Sequence, residues 1–158
     1  MIISGLSGNL ADLSSQERAE LEIDYVSFDN ESRMKRVQRV RSEAGQEVAL
    51  RFNAGFRELA EGDILVRDEA KALVVKIEPT DVIVIKPRTI REMGTVAHAL
   101  GNRHMQAQFF DEDSQFGQQV MVVRYDHTVV DHLDHVGVPY GRGEHVMPRA
   151  FRHAEHTH

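Results

Sequence analysis

The sequence predicts an α+β protein with a small N-terminal all-β domain, a ferredoxin-like βαββαβ domain and a flexible C-terminal tail. Three observations predict this class. Short segments with alternating or β-branched apolar residues recur through residues 1–77. Residues 78–145 follow the order β-α-β-β-α-β, which is typical of a ferredoxin-like domain. Residues 146–158 contain proline and histidine but little apolar periodicity, which indicates a tail.

The first domain is expected to consist of short strands. A short apolar start at residues 1–4 precedes a polar stretch, and the segment from Glu20 to Phe28 then alternates polar and apolar residues. This alternation places Leu21, Ile23 and Tyr25 on one face of a strand. Further extended candidates, at a spacing typical of a small sandwich or barrel, are residues 33–41, 47–52, 64–66 and 72–77.

The second domain begins with a strand and a helix. Residues 82–85 form a continuous apolar run, which is typical of a central strand buried on both faces. Thr89 and Glu92 have capping-box spacing. Gly101 stands where a left-handed helix end favours glycine. The apolar residues expected to face the core recur at helical spacing: Ile90, Met93, Ala97 and Leu100.

The rest of the second domain reads as a hairpin, a helix and a last short strand. Strands are expected at residues 105–110 and 120–124, joined by a turn at residues 111–117. A helix follows from Asp126, and a strand starts near Val138. The helix should bury Val129, Leu133 and Val136.

Composition excludes several classes of site. The chain has no cysteine, so disulfides, thiolate metal sites and cysteine nucleophiles are excluded together. A formal net charge of -6 does not favour nucleic-acid binding. The start of the chain lacks the pattern of a secretory signal, and no apolar segment is long enough for a membrane helix. We therefore expect a cytoplasmic protein with neither nucleic acid nor membrane as partner.

Histidine is the residue type that points to chemistry. The chain has nine histidines, and seven of them lie between His127 and His158. Imidazole suits nickel, zinc and copper(II). His104 follows a predicted helix end, where a side chain is displayed at the domain edge. A single imidazole is not a metal site, but a twofold axis would bring two copies together. Further candidate ligands are the tail residues His153, His156 and His158.

The other polar patterns have ordinary interpretations. His98 and the helix residues His127, His132 and His135 are expected on polar surfaces. The acidic residues 111–113 favour a hairpin turn, because the remaining ligand spacing of a calcium loop is missing. The basic residues within 33–41 favour one charged strand face. No phosphate-binding loop, dinucleotide fingerprint or zinc-protease motif is present, so the sequence does not predict an enzyme.

Several motifs resemble one known family. The second half closely resembles the metal-binding domain of UreE-type urease accessory proteins, and the resemblance extends more weakly over the first half. The motifs that carry it are Val84-Ile85-Lys86-Pro87, Glu92-Met93-Gly94, Leu100-Gly101-Asn102-Arg103-His104, Val123-Arg124-Tyr125-Asp126 and Val136-Gly137-Val138.

The resemblance implies a function and a ligand set. The interface histidine of the family falls on His104, and its tail histidines fall on His156 and His158, with His153 a nearby candidate. A homodimer would bind Ni(II) and pass it to the urease apoprotein complex through an accessory GTPase. The first domain would resemble a peptide-binding chaperone module. This chain lacks the long histidine run of some members, so a capacity for many extra ions is not implied.

Two alternatives remain open from the residues alone. The chain could be a non-catalytic protein-binding module whose histidines are incidental. It could also be a metal-dependent hydrolase that uses His104 with Asp111 or Asp113, which would require an open coordination position beside a pocket. The residues do not rank nickel, zinc and copper(II) as ligands of the site. Zinc and copper(II) are expected to bind in vitro as well as nickel. The residues also leave open how many metal ions bind. They do not decide between a dimer and a metal-bridged tetramer.

Overall fold

The computed structural model describes residues 1–153, and the chain divides into two compact units. The first unit comprises Met1–Pro79 together with Val146–Ala150. The second comprises Thr80–His145 and resumes at Phe151. Helices and strands occur together, and the strands form several sheets, so the predicted α+β class is confirmed.

The first unit contains two three-stranded sheets. In one, β1 pairs parallel with β4, and β4 pairs antiparallel with β3. In the other, β6 lies between β2, its parallel neighbour, and β5, its antiparallel neighbour. The elements are β1 (Ile2–Ile3), α1 (Ser15–Ala19), β2 (Glu22–Phe28), β3 (Val37–Arg41), β4 (Glu47–Arg51), β5 (Ile64–Arg67) and β6 (Lys71–Ile77).

Side chains on both faces of β2 pack against apolar clusters. Val26 and Phe28 belong to the main core cluster, which also contains Leu50 from β4. Ile23 and Tyr25, on the opposite face, pack against a smaller cluster. The alternation in this segment was therefore predicted correctly, but the face without Ile23 and Tyr25 supplies the main core.

Two local features of the first unit differ from expectation. The helix α1 was not predicted, although Ser14 and Glu17 form a capping box at its start. Ser32–Met34 is a 3-10 turn, so the predicted extended segment from Arg33 begins only at Val37. Arg33 is 1% exposed, and its assignment to a charged strand face was wrong.

The second unit has the predicted ferredoxin-like arrangement. Its elements are β7 (Thr80–Ile85), α2 (Ile90–Asn102), β8 (Ala107–Phe110), β9 (Val120–Arg124), α3 (His127–Val136) and β10 (Tyr140–His145). The strand order is β10-β7-β9-β8, with every neighbouring pair antiparallel. No helix within residues 1–153 combines the length and apolar content needed to cross a membrane.

The core of the second unit lies between the helices and one sheet face. The helices contribute Val96 and Leu100 from α2 and Val129 and Leu133 from α3. Ile90 was expected in this core, but it is 92% exposed. At 3.6 residues per turn the buried face centres on Val96 and Leu100, and Ile90, the first helical residue, lies about 80° around the helix from Leu100.

The start of α2 is only partly the predicted capping box. The Thr89 hydroxyl accepts a hydrogen bond from the Glu92 backbone N–H at 3.1 Å, as predicted. The Glu92 carboxylate, however, accepts from the backbone N–H of Arg88 at 2.7 Å and from its guanidinium at 2.7 Å. These contacts with Arg88 lower the Glu92 pKa to about 2.

Candidate metal centre

His104 occupies a left-handed backbone position at the C-terminal end of α2, after the cap residue Arg103. Its φ is 57°, and no other non-glycine residue within residues 1–153 has a positive φ. Its backbone N–H donates to the Gly101 carbonyl at 3.0 Å, and that of Met105 donates to the Leu100 carbonyl at 3.1 Å. This pair of bonds is the Schellman arrangement at a helix C-terminus. Gly101 lies inside the helix, so the prediction that it takes the left-handed position was wrong. His104 takes that position instead.

The left-handed backbone at His104 exposes the imidazole but lowers the stability of the folded protein. The side chain is exposed. A left-handed conformation costs a residue with a Cβ about 1–2 kcal/mol. Residues held in such conformations cluster at functional sites. The presence of histidine where glycine is preferred therefore favours a role for its side chain.

The residues on either side of His104 are tied to the helices. The Asn102 amide nitrogen lies 3.4 Å from His98 Nε2, one turn back on α2. The Arg103 guanidinium donates to the Thr128 hydroxyl, and this hydroxyl donates to Asp126 Oδ1 at 2.6 Å. The hydrogen bonds from Thr128, with a smaller effect of the Arg103 charge, lower the Asp126 pKa. The loop that carries His104 is thus connected to the N-terminus of α3.

A shallow groove of about 250 Å³ lies beside the same helix end. Phe109, on the edge strand β8, is 55% exposed at this groove. The lining residues are Ala97, Gly101, Met105, Gln106, Ala107, Phe109, Met121 and Arg152. They include neither a carboxylate nor an imidazole. The groove is therefore suited to apolar contact and not to metal coordination.

The predicted tail ligands are only partly within the described residues. His153 is exposed and follows Phe151, which is 1% exposed. His156 and His158 lie outside the described residues. Met147 and Ala150, which precede Phe151, are buried as well. The flexibility of residues 146–158 stays a prediction. The burial of Met147, Ala150 and Phe151 does not favour it at those three positions.

Residues 1–153 contain no group of three or more His, Asp or Glu side chains placed to hold a metal ion. His98, His127 and His135 are exposed, as predicted, while His132 is half-buried. Its Nε2 has no hydrogen-bond partner within the described part of the chain. His145, for which no role was predicted, packs against Phe116, with the two ring centroids 5.1 Å apart.

The acidic turn forms no three-ligand metal group with the histidines within residues 1–153. Asp111 and Asp113 are exposed in the loop between β8 and β9, and the Ser114 hydroxyl donates to the Asp111 carbonyl at 2.8 Å. Neither aspartate belongs to a three-ligand group within residues 1–153. The turn interpretation of this segment is confirmed.

Comparison with known proteins identifies the family. A family model described as "UreE urease accessory protein, N-terminal domain" matches residues 3–78. The chain is 51% identical to the urease accessory protein UreE of Corynebacterium urealyticum and 52% identical to that of Paenarthrobacter aurescens. Each of these alignments covers 100% of both chains. The chain therefore belongs to the UreE family of urease accessory proteins.

Proposed function

We propose that this protein is a non-catalytic nickel carrier for urease maturation that works as a homodimer. Ni(II), its cargo, binds between the His104 imidazoles of two protomers, and the tail residues His153, His156 and His158 supply further ligands. The observation that carries this proposal is the exposed imidazole at a strained, left-handed helix end. Membership of the UreE family supports the role in urease maturation.

The need for two copies follows from the number of ligands. No three-ligand group exists within residues 1–153 of one chain, and one imidazole alone does not make a tight site. A twofold axis places the same residue of each protomer at one point. Two imidazoles from rigid helix ends, completed by histidines from the tails, give nitrogen ligands that a borderline metal accepts and exchanges.

The surface beside His104 supports association of two chains. The edge strand β8 exposes Phe109, and the adjoining groove is mainly apolar. A Cβ built on Gly101 would meet nothing within 4 Å, so another chain can approach the helix closely there. Burial of exposed apolar area stabilises association by roughly 25 cal/mol per Å² before the costs of ordering are subtracted.

The choice of nickel rests on the family and not on the residues. A cysteine-free set of imidazoles would also bind zinc and copper(II). The relatives are named as urease accessory proteins, so we assign nickel as the cargo and the urease apoprotein complex as its destination. A urease accessory GTPase is the proposed intermediate partner, and the cytoplasm is the proposed compartment.

The test compares nickel binding by the native protein and two single variants. Calorimetry at neutral pH should give about one tightly bound Ni(II) per two native chains, since one twofold axis makes one shared site. His104→Ala should lose this tight binding. His135→Ala, which removes an exposed imidazole from α3, is the matched control and should keep it. Unchanged tight binding in His104→Ala would reject the assignment.

A further inference from the structure

The strand β10 forms one edge of the sheet in the second unit. Among the described strands it pairs with β7 alone. The Lys86 backbone N–H donates to the Pro139 carbonyl at 2.8 Å where this ladder begins. Bonded and non-bonded pairs alternate along an antiparallel ladder, so the N–H and C=O groups of Arg142 and Glu144 point away from β7. Within residues 1–153, these outward N–H groups have no hydrogen-bond partner. Such an edge is able to pair with a further strand.

The two glycines of β10 lie on the sheet face that is turned away from the helices. Gly141 pairs with Val84 of β7, and Gly143 pairs with Val82. Ile83, between these valines, belongs to the core that the helices share. Side chains alternate between the two faces along a strand, so the valines and their glycine partners face the opposite way. The glycines therefore leave space on that face, directly beside the edge of the sheet.

A pocket of about 270 Å³ occupies this space. Val84 and Gly141 line it from the sheet, and Lys86, Phe116 and His145 line it from the sides. Among the described lining residues none is Asp or Glu, although the formal net charge of the chain is -6. The pocket is thus suited to an acidic group.

Two basic side chains lie over the glycines. Lys86 Nζ is 3.9 Å from the position that a Cβ on Gly141 would occupy. His145 Nε2 is 3.4 Å from the corresponding position at Gly143. Lys86 is exposed and forms no ion pair within residues 1–153. The two nitrogens are therefore presented at glycines that stand two residues apart on one strand.

Arg142 also lines the pocket, but its charge is directed elsewhere. It pairs with Ile83, which places its side chain on the helix side of the sheet. There the guanidinium donates to the Asp81 carboxylate at 2.8 Å and 3.1 Å, and it lies 3.5 Å from the centroid of the Tyr125 ring. Lys86 and His145 are therefore the basic groups that a ligand in this pocket meets.

We propose that β10 accepts an added strand from a partner protein, and that this strand carries acidic side chains at alternate positions. The backbone of the added strand bonds the outward N–H and C=O groups of Arg142 and Glu144. The inference concerns a surface of the second unit that the proposed nickel site does not use, so the two can be tested apart.

The glycines explain the alternate spacing of the acidic residues. Facing side chains of neighbouring strands lie about 4.5–5.5 Å apart, and glycine in a strand often marks a close approach of another chain. One glutamate of the added strand passes over Gly141 and reaches Lys86. A second glutamate, two residues along, passes over Gly143 and reaches His145. Acidic residues at other spacings place one carboxylate on the wrong face.

Other occupants fit the same surface less well. A free carboxylate would meet the basic groups but would leave the backbone of the strand edge unpaired. A second copy of β10 would pair the edge but would bring the same basic side chains of two chains together, which is unfavourable. An acidic strand satisfies both the backbone and the charge.

The first experiment measures peptide binding to the native full-length protein by fluorescence anisotropy. Two labelled eight-residue peptides have the same composition and charge. One repeats Thr-Glu, and the other repeats Glu-Glu-Thr-Thr, which has no two acids separated by one residue. The alternating peptide should bind about 3- to 5-fold more tightly, because it makes one more ion pair. Equal affinities would overturn the proposal.

N-methylation of the alternating peptide tests strand addition without changing the protein. In an extended strand, the N–H groups of alternate residues point to the same side. Methyl groups on two threonine nitrogens, or on two glutamate nitrogens, should therefore differ in effect. One of these peptides should lose about 10-fold or more in affinity, and the other should keep it. The threonine-methylated peptide should be the weaker one if the added strand is antiparallel. Equal effects would reject strand addition.

Three protein variants test the pocket. Lys86→Gln should weaken binding of the alternating peptide about 3- to 5-fold. Arg91→Gln removes the same charge from an exposed position of α2 and should bind like the native protein. Gly141→Val should fill the space beside the edge and lose binding. Its Cβ would meet Lys86 Nζ only at ordinary contact distance, so the temperature of thermal unfolding should not fall. Native affinity in Gly141→Val would contradict the proposed path of the glutamate.

Two further outcomes would assign the surface to another occupant and overturn the proposal. In the first, sodium glutarate displaces the peptide and neither N-methylated peptide is weakened, so the pocket binds a free carboxylate. In the second, Glu144→Pro dissociates an assembly of the native chain in sedimentation, so a second copy pairs with β10. Proline is tolerated in an edge strand where the N–H points outward. His104→Ala should bind the peptide like the native protein, whatever its affinity for nickel.

Discussion

His104 combines an exposed imidazole with a backbone conformation that glycine adopts more readily. The Schellman bonds at the end of α2 require the left-handed residue whichever side chain is present. The free energy that histidine loses here is of the same order as a helix cap or a good hydrogen bond. Stability and metal binding should therefore respond in opposite directions when glycine replaces His104.

His104→Gly and His104→Ala should separate the two effects. Both remove the imidazole and should lose tight nickel binding. Glycine also relieves the left-handed strain, so metal-free His104→Gly should be about 1 kcal/mol more stable to unfolding than His104→Ala. Urea denaturation of the metal-free variants measures the difference. Equal stabilities would show that the conformation at this position is not strained.

Arg33 shows why a charged residue in a strand-like pattern can be misread. Its neighbours Lys35 and Arg36 are exposed, and sequence alone groups it with them. Burial depends on acceptors that are distant in sequence, the Met147 and Pro148 carbonyls. No local pattern near residue 33 indicates them, so its burial was not predictable.

Arg33→Lys should therefore be a disruptive change despite the retained charge. One ammonium group cannot reproduce the fork that donates to the Met147, Pro148 and Leu59 carbonyls. We expect a loss of about 2–4 kcal/mol in the free energy of unfolding. Arg39→Lys, on an exposed site of β3, is the control and should stay within about 0.5 kcal/mol of the native protein. Similar small losses in both variants would contradict the account.

Elements with strong local signals were predictable. The apolar run of β7, the periodicity of α2 and α3 and the sequence order of the second unit all led to the ferredoxin-like arrangement that is observed. The short helix α1 was missed because its five residues bury no side chain and so have no apolar stripe. The burial of Met147, Ala150 and Phe151 was missed because isolated apolar residues beside Pro148 and histidine lack a period.

The ends of elements were less predictable than the elements. Gly101 was assigned the left-handed position because glycine adopts it most easily, but the helix continues to Asn102. Glu92 was expected to bond the Thr89 backbone, but the adjacent guanidinium of Arg88 binds both of its oxygens. In each case a neighbouring contact decided between conformations of similar free energy.

The Arg88–Glu92 contact should give α2 a pH-dependent stability. The folded-state pKa of Glu92 is about 2, below its ordinary value of 4.5, chiefly because the Arg88 side chain donates to it. The stabilisation is therefore complete above about pH 4.5 and is lost as the pH falls through about 2. Glu92→Gln should be less stable than the native protein at pH 6, and the two should converge near pH 2 in urea unfolding. A difference that stays constant over this range would contradict the prediction.

At the scale of the whole molecule, residues 1–153 of one chain do not by themselves complete the candidate site. The described histidines do not form a three-ligand group, while an exposed aromatic ring and an open helix face lie beside His104. The proposed carrier therefore depends on association. In the proposed dimer, the apolar groove is the contact area and the imidazoles are the ligands.

Phe109→Asp should disrupt the proposed dimer. A carboxylate on β8 would have to lose its hydration on association, which is costly without a partner. Ile90→Asp is the control, since Ile90 is 92% exposed at the opposite end of α2. Sedimentation should show Phe109→Asp as a monomer and Ile90→Asp as a dimer. A dimeric Phe109→Asp protein would place the interface elsewhere.

The most direct test of a shared metal site mixes native chains with His104→Ala chains. After the chains have been unfolded together and refolded, an equal mixture contains about one quarter native homodimers if pairing is random. If an ion needs both His104 imidazoles, tightly bound nickel should fall to about a quarter of the all-native value, and it should follow the square of the native fraction. A fall to one half, linear in the native fraction, would show that each chain binds nickel alone and would contradict the account.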